Sequence, residues 1–149
     1  GWKKYFFWYH QEDLILNHQN ELLIVKPTYK DHWSIPGGVV EENESPKQAC
    51  LREVKEEIGI ELKDAKFLCV DYTSANEEKN ESLQFIFYGG MLDEKLVKEI
   101  NIHNNELAEY KFKPIKDVLP LLGEKLQRRI PKCIEALESD AIMYLENGE

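Results

Sequence analysis

The stretch "GGVVEENESPKQACLREVKEEIGIEL", beginning at Gly37, constrains the chain more than any other part of it. Ser45 is a good N-cap, Pro46 falls at the first helical position where a missing N–H costs nothing, and Gln48 completes an S-x-x-Q capping box. Gly59 is of the type that commonly follows the last helical turn. These signals predict a helix over 46–58. That helix crowds Glu53, Glu56 and Glu57 together, although like charges three or four residues apart cost an isolated helix about 0.2–0.5 kcal/mol per pair. Either the face is solvated or something cationic binds it.

At 100° per residue the three carboxylates share an arc of about 100°. Ala49 lies between them and gives them room, while Leu51, Cys50, Val54 and Ile58 form the adjoining apolar stripe. Arg52, one turn before Glu56, can fix a carboxylate with its planar fork. The cluster thus borders a core, and grouped carboxylate oxygens are the hard ligands that Mg²⁺ or a similar divalent ion takes.

Charge narrows the partner. With 28 acidic against 19 basic residues the net charge is -9, which repels extended nucleic acid. A phosphate-bearing partner would need a divalent cation between its oxygens and these carboxylates. The three cysteines, Cys50, Cys69 and Cys133, match no metal-pair spacing and suit a reducing, cytoplasmic setting. No segment reaches the roughly 20 apolar residues that span a bilayer, and the start carries no leader cleavage pattern. A chain of 149 residues suits one domain.

Around the helix, "DLILNHQNELLIVKP" reads as a β-hairpin, and "AKFLCVDYTS", "SLQFIFYGGML" and "EYKFKPI" as further strands, with the polar "ANEEKNE" between the first two as a loop. The aromatic run Tyr5 to Tyr9 with Trp2 reads as an edge strand or core contribution. After Pro114, the aliphatic rhythm through Val118, Leu122, Leu126, Ile130, Ile134, Leu137 and Ile142 predicts two or three helical pieces broken at Pro120 and Pro131. Lys125, Arg128, Arg129 and Lys132 there read as a solvated face. The expected class is α+β.

The spacing carries one more signal. Gly38, Glu44, Arg52, Glu53, Val54, Glu56, Glu57, Gly59 and Ile60 fill all nine fixed positions of the motif Gly, five any, Glu, seven any, Arg-Glu, aliphatic, any, Glu-Glu, any, Gly, aliphatic. This resembles the Nudix box. The resemblance implies an α/β/α sandwich with a mixed sheet carrying a loop-helix-loop, and hydrolysis of a nucleoside diphosphate linked to another moiety with Mg²⁺ or Mn²⁺. It implies Glu53, Glu56 and Glu57 as metal ligands, with Glu56 or Glu53 doubling in water activation, a Gly37 or Gly38 carbonyl as backbone ligand, and Arg52 and Glu44 as supports. For a general base outside the box, the later loop offers Glu106, with Glu109 as the alternative. Trp33, Tyr29, Tyr72, Phe85 and Tyr88 are aromatics able to stack on a base, though sheet interiors also take them. The marks of ADP-ribose and dinucleoside polyphosphate hydrolases are absent after the box, and the chain's size suits a triphosphate or small-nucleotide substrate and a monomer or homodimer. The rival reading is a non-catalytic nucleotide sensor, which usually lacks a box glutamate; this chain has them all.

Overall fold

A computed structural model of the chain describes residues 7–102 and 105–149. Within them seven strands form one mixed sheet: β1 (Trp8–Asn17), β2 (Leu22–Pro27), β3 (Gly37–Val39), β4 (Lys66–Thr73), β5 (Ser82–Leu92), β6 (Leu107–Lys113) and β7 (Met143–Glu146). The order is β6-β2-β1-β5-β4-β7, with β3 also on β1. The hairpin forms as expected, Leu16 opposite Leu22, whereas β1 and β5 run parallel. Trp2, Tyr5 and Phe6 of the aromatic run lie outside the described residues. Trp8 and Tyr9 enter β1, which is an interior strand and not an edge, because β2 and β3 pair with one side of it and β5 with the other; both side chains are exposed and contribute little to the core.

Both faces of the sheet are covered, so its central strands are apolar on both sides. Alternation sends Leu14, Leu16, Leu22 and Ile24 to one core and Ile15, Leu23 and Val25 to the other. The first core is closed by α3 (Ile115–Val118) and α4 (Glu124–Glu138) through Val118, Leu126, Ile130 and Cys133. The second is closed by α1 (Pro46–Ile58) through Val54 and Ile58, with the short α2 (Glu94–Lys98) at its border through Leu96 and Val97. The architecture is α+β with helices on both faces of a mixed sheet.

Helix α1 has the predicted bounds. Ser45 accepts from the Gln48 backbone N–H, the Gln48 side chain closes the capping box, and Gly59 sits in the left-handed region at φ 75°. The C-terminal region departs from expectation. Pro131 lies inside α4 without breaking it; the ring is on the exposed side, while the buried stripe of Leu126, Ile130, Cys133 and Ala136 offsets the lost hydrogen bond. Ile142 belongs to no helix, and the residues after it form β7, parallel to β4. Arg129, expected in a solvated face, is 3% exposed. Its Nε donates to Asp71 at 2.7 Å and its Nη1 to Glu12. The Cys50, Cys69 and Cys133 thiols are free and buried. No helix among the described residues is long and apolar enough to cross a membrane.

Candidate active site

Strand β3 and the loop after it bring the Gly pair against α1. A Cβ on Gly38 would lie 2.6 Å from Glu53 Oε1, and one on Gly37 would lie 2.3 Å from the Gln11 carbonyl oxygen. Only glycine admits that approach. The Gly37 N–H in turn donates to Glu57 Oε2 at 3.0 Å, so the loop fixes one carboxylate and crowds the other.

Arg52 organises the rest. Its Nε and Nη2 donate to the two oxygens of Glu44 at 2.7 and 2.9 Å, and Nη1 to Glu53 at 2.9 Å and Glu56 at 3.1 Å. Nη2 also reaches the Val39 carbonyl at 3.2 Å, so all five guanidinium donors are engaged. Arg52 holds the Glu44 carboxyl below the usual range.

Glu53 and Glu57 face a cleft of about 1300 Å³, which Gly37, Gly38 and Glu106 also line. Glu56 lies at the outer border with its side chain 59% exposed. Burial raises the pKa of Glu53 against the pull of Arg52, with Glu56 and Glu106 adding repulsion. Glu57 is pushed up to about 8, first by burial, then by Glu53, with the Gly37 N–H opposing and Glu106 and Glu56 adding to the rise. Beneath them Asp13 is fully buried, accepts from the Cys50 thiol at 2.6 Å, and meets the Gln11 amide nitrogen at 3.0 Å from each oxygen when that amide is turned toward it. Burial drives the Asp13 pKa well up.

This donor set suits a hard divalent cation: carboxylates and a glycine loop, each acid raising its neighbours' proton affinity. Among the described residues no three acid, imidazole or thiol groups converge around one point; Arg52 holds Glu53 and Glu56, and the Gly37 N–H holds Glu57. The electrostatics can be tested without turnover. Between pH 4.5 and about 8 the folded chain retains a proton on Glu57 that the unfolded chain has lost, so stability falls as pH rises through that window. Without metal, Tm should fall from pH 5 to pH 8 by at least about 3 °C more than in Glu57→Gln. A divalent cation at pH 8 should restore it. Equal pH slopes for the two proteins would mean that Glu57 is not held in this way.

Of the other candidates, Tyr29 lines the cleft and is 72% exposed. Trp33 packs against the first core with Lys111 Nζ 4.3 Å from its ring centre. The Tyr72 hydroxyl donates to Glu81 at 2.7 Å. Phe85 sits between Tyr9 and Phe67, its ring centre 6.2 Å from each of theirs, and Tyr88 packs on the first core. Glu109 is exposed in β6 opposite Lys26 and does not line the cleft. The sequence reading missed the polar floor of the cleft, His10, Glu12, Gln84, Thr73 and Ser82, and its tie to Arg129. One signal was present: Arg129 falls three residues after Leu126 and four before Cys133, on the inward stripe of α4.

Residues 13–133 match the NUDIX domain family. The chain belongs to that family. Nudix hydrolases generally use divalent metal ions. The chain is 46% identical over 55 residues to an RNA pyrophosphohydrolase of Hydrogenovibrio crunogenus, covering 37% of this chain and 33% of that protein. It is 41% identical over 59 residues to an 8-oxo-dGTP diphosphatase of Proteus vulgaris, covering 37% of this chain and 53% of that one. The chain thus spans between a third and about half of these relatives' lengths. In fold it resembles the MutT protein of Methanosarcina mazei Go1, with a TM-score of 0.74 at 20% identity over 93% of this chain and 99% of that one.

Proposed function

We propose that this Nudix chain hydrolyses a diphosphate bond in a small nucleotide, a nucleoside triphosphate in the simplest case, with Mg²⁺ or Mn²⁺. The observation that carries the reading is that Glu53, Glu57 and Glu106 line one cleft, where burial and mutual repulsion raise the pKa of Glu53 and Glu57, a repulsion that a bound cation would relieve. A bound divalent ion would neutralise the diphosphate and acidify a water molecule. Glu53, Glu56, Glu57 and a Gly37 or Gly38 carbonyl would hold it. Arg52 and Glu44 keep those carboxylates oriented. Glu106 accepts the proton of the attacking water as its oxygen bonds to phosphorus and the anhydride P–O bond breaks, the leaving phosphate departing with the bond's electrons. Tyr29, at the exposed rim, offers a ring to a base. The negative charge of -9 argues against extended nucleic acid, and the buried free thiols fit a reducing cytoplasm. The proposed assembly is a monomer or homodimer.

The test is a phosphate-release screen of nucleoside triphosphates, nucleotide sugars, ADP-ribose and dinucleoside polyphosphates with each metal. Turnover of at least one nucleotide is expected, chelator abolishing it while circular dichroism stays nearly unchanged, since Val54 and Ile58 carry the packing of α1. Nucleotide binding with no release would support the sensor reading instead, and a large loss of helix signal with chelator would mean a structural ion.

A further inference from the structure

The wall of the cleft remote from α1 carries charges of both signs. Strand alternation places His10 and Glu12 of β1, Thr73 and Asp71 of β4, and Gln84 of β5 on the face under α4. Arg129 reaches this face from α4 and is matched there, holding Asp71 and Glu12 at once. Two further cations are not matched. Lys125, in the first turn of α4, and Lys79, in the β4–β5 loop, both line the cleft, and neither is ion-paired among the described residues. Glu78 and Glu124 line the cleft as well but form no ion pair with them. Thr73, at the end of β4, lines the same cleft; it is 6% exposed, and its Oγ1 is buried without a hydrogen-bond partner among the described residues.

A buried hydroxyl without a partner is costly, and Lys79 and Lys125, both exposed, are like charges that gain from a shared anion. Their charges act on the neighbouring groups. Burial and then repulsion by Lys79, Arg129 and Arg128 lower the pKa of Lys125. His10 is lowered by burial, with Lys79, Arg129 and Lys125 adding to it and Glu12 opposing. An anion with several acceptor oxygens relieves all of this together: it separates the lysines electrostatically and accepts from the orphan hydroxyl. The cleft's volume of about 1300 Å³ also exceeds the roughly 300–1,000 Å³ typical of pockets for one small molecule.

We propose that Thr73, Lys79 and Lys125 form a second anion subsite, and that the preferred substrate carries a further phosphate on the nucleoside side of the scissile diphosphate. This rests on the reading of the α1 wall as the hydrolytic centre. The diphosphate lies on the α1 wall and the added phosphate on the α4 wall, the nucleoside spanning the floor. Such a phosphate belongs either to a small nucleotide phosphorylated on its ribose or to the first internucleotide link of a 5′-triphosphorylated oligonucleotide.

Binding and turnover are measured separately. In metal-free buffer, calorimetry with guanosine 3′,5′-bisphosphate and guanosine 5′-monophosphate should show about tenfold or greater preference for the bisphosphate. The Lys79→Gln/Lys125→Gln protein should bring that ratio near one, and Thr73→Val should lower it severalfold. Equal affinities in the unaltered protein, or a ratio surviving the double substitution, would overturn the subsite. In turnover, kcat/KM for GTP is compared with that for its 3′-phosphorylated form and for the triphosphorylated dinucleotide pppGpG. Preference for the 3′-phosphate form identifies the small nucleotide, preference for pppGpG identifies the oligonucleotide end, and equal values for all three refute the assignment. A chain that binds the bisphosphate tightly yet cleaves none of the three retains the subsite and loses the hydrolytic reading.

Discussion

Glu53→Gln is expected to lower turnover at saturating Mg²⁺ by at least about a hundredfold, in the range for loss of a group that acts on charge in the transition state, while Tm holds or rises. The amide keeps the carboxylate's shape, and its oxygen can still accept from Arg52 Nη1, which lies 2.9 Å from Glu53 Oε1. What it loses is the negative oxygen that a divalent cation needs. The fold has no reason to suffer: Arg52 retains both bonds to Glu44 and the one to Glu56, and burial already opposes charge on Glu53. Loss of activity with unchanged or greater stability distinguishes this from misfolding. Glu56→Gln should behave alike, its repulsion of Glu53 and Glu57 also removed. Near-normal turnover of both variants, checked alongside circular dichroism, would remove α1 from the chemistry.

The second large effect separates the two acids that precede and enter β6. Glu106→Gln should cut kcat by about a hundredfold or more with KM within a few-fold, because a proton acceptor acts chiefly in the transition state. Its main chain is fixed, since the Glu106 carbonyl accepts from the Thr28 N–H at 2.8 Å, and its side chain lines the cleft with Glu53 and Glu57. Glu109→Gln should change kcat by less than about twofold, as expected of an exposed side chain outside the site. Equal losses would indicate that both acids serve one ion, and loss from Glu109 alone would shift the role three residues along β6.

The legible parts of this chain were those written in local code. The start and end of α1 follow from Ser45, Pro46, Gln48 and Gly59, residues that act on backbone groups within a few positions of themselves. The clustering of Glu53 and Glu57 beside a buried stripe follows from helical period, and Gly38 had to be glycine because a carboxylate rests where its Cβ would be. Arg129 escaped because its burial depends on Asp71 and Glu12, 58 and 117 residues away. A cation run looks the same in sequence whether or not carboxylates wait beneath it. In sequence Pro131 reads as a breaker because the local cost is real, and the stripe that offsets it is assembled only against the sheet. Strand β7 was missed for the related reason that its partner, β4, lies some 70 residues earlier and pairs with it in parallel, leaving no turn to announce it. The aromatics divided likewise: period alone could not say that Phe85 faces Phe67 and Tyr29 the solvent.

The fivefold engagement of Arg52 braces the acidic cluster from within the protein. Many small metal sites are unfolded until loaded, because nothing else offsets their gathered negative charge. Here a resident guanidinium does so permanently, bound to Glu44, Glu53, Glu56 and the Val39 carbonyl. Under the proposed function, a cation leaving with product and returning with the next substrate would therefore require no refolding step. A lysine at position 52, with three donors and no planar fork, would leave that exchange coupled to the integrity of α1.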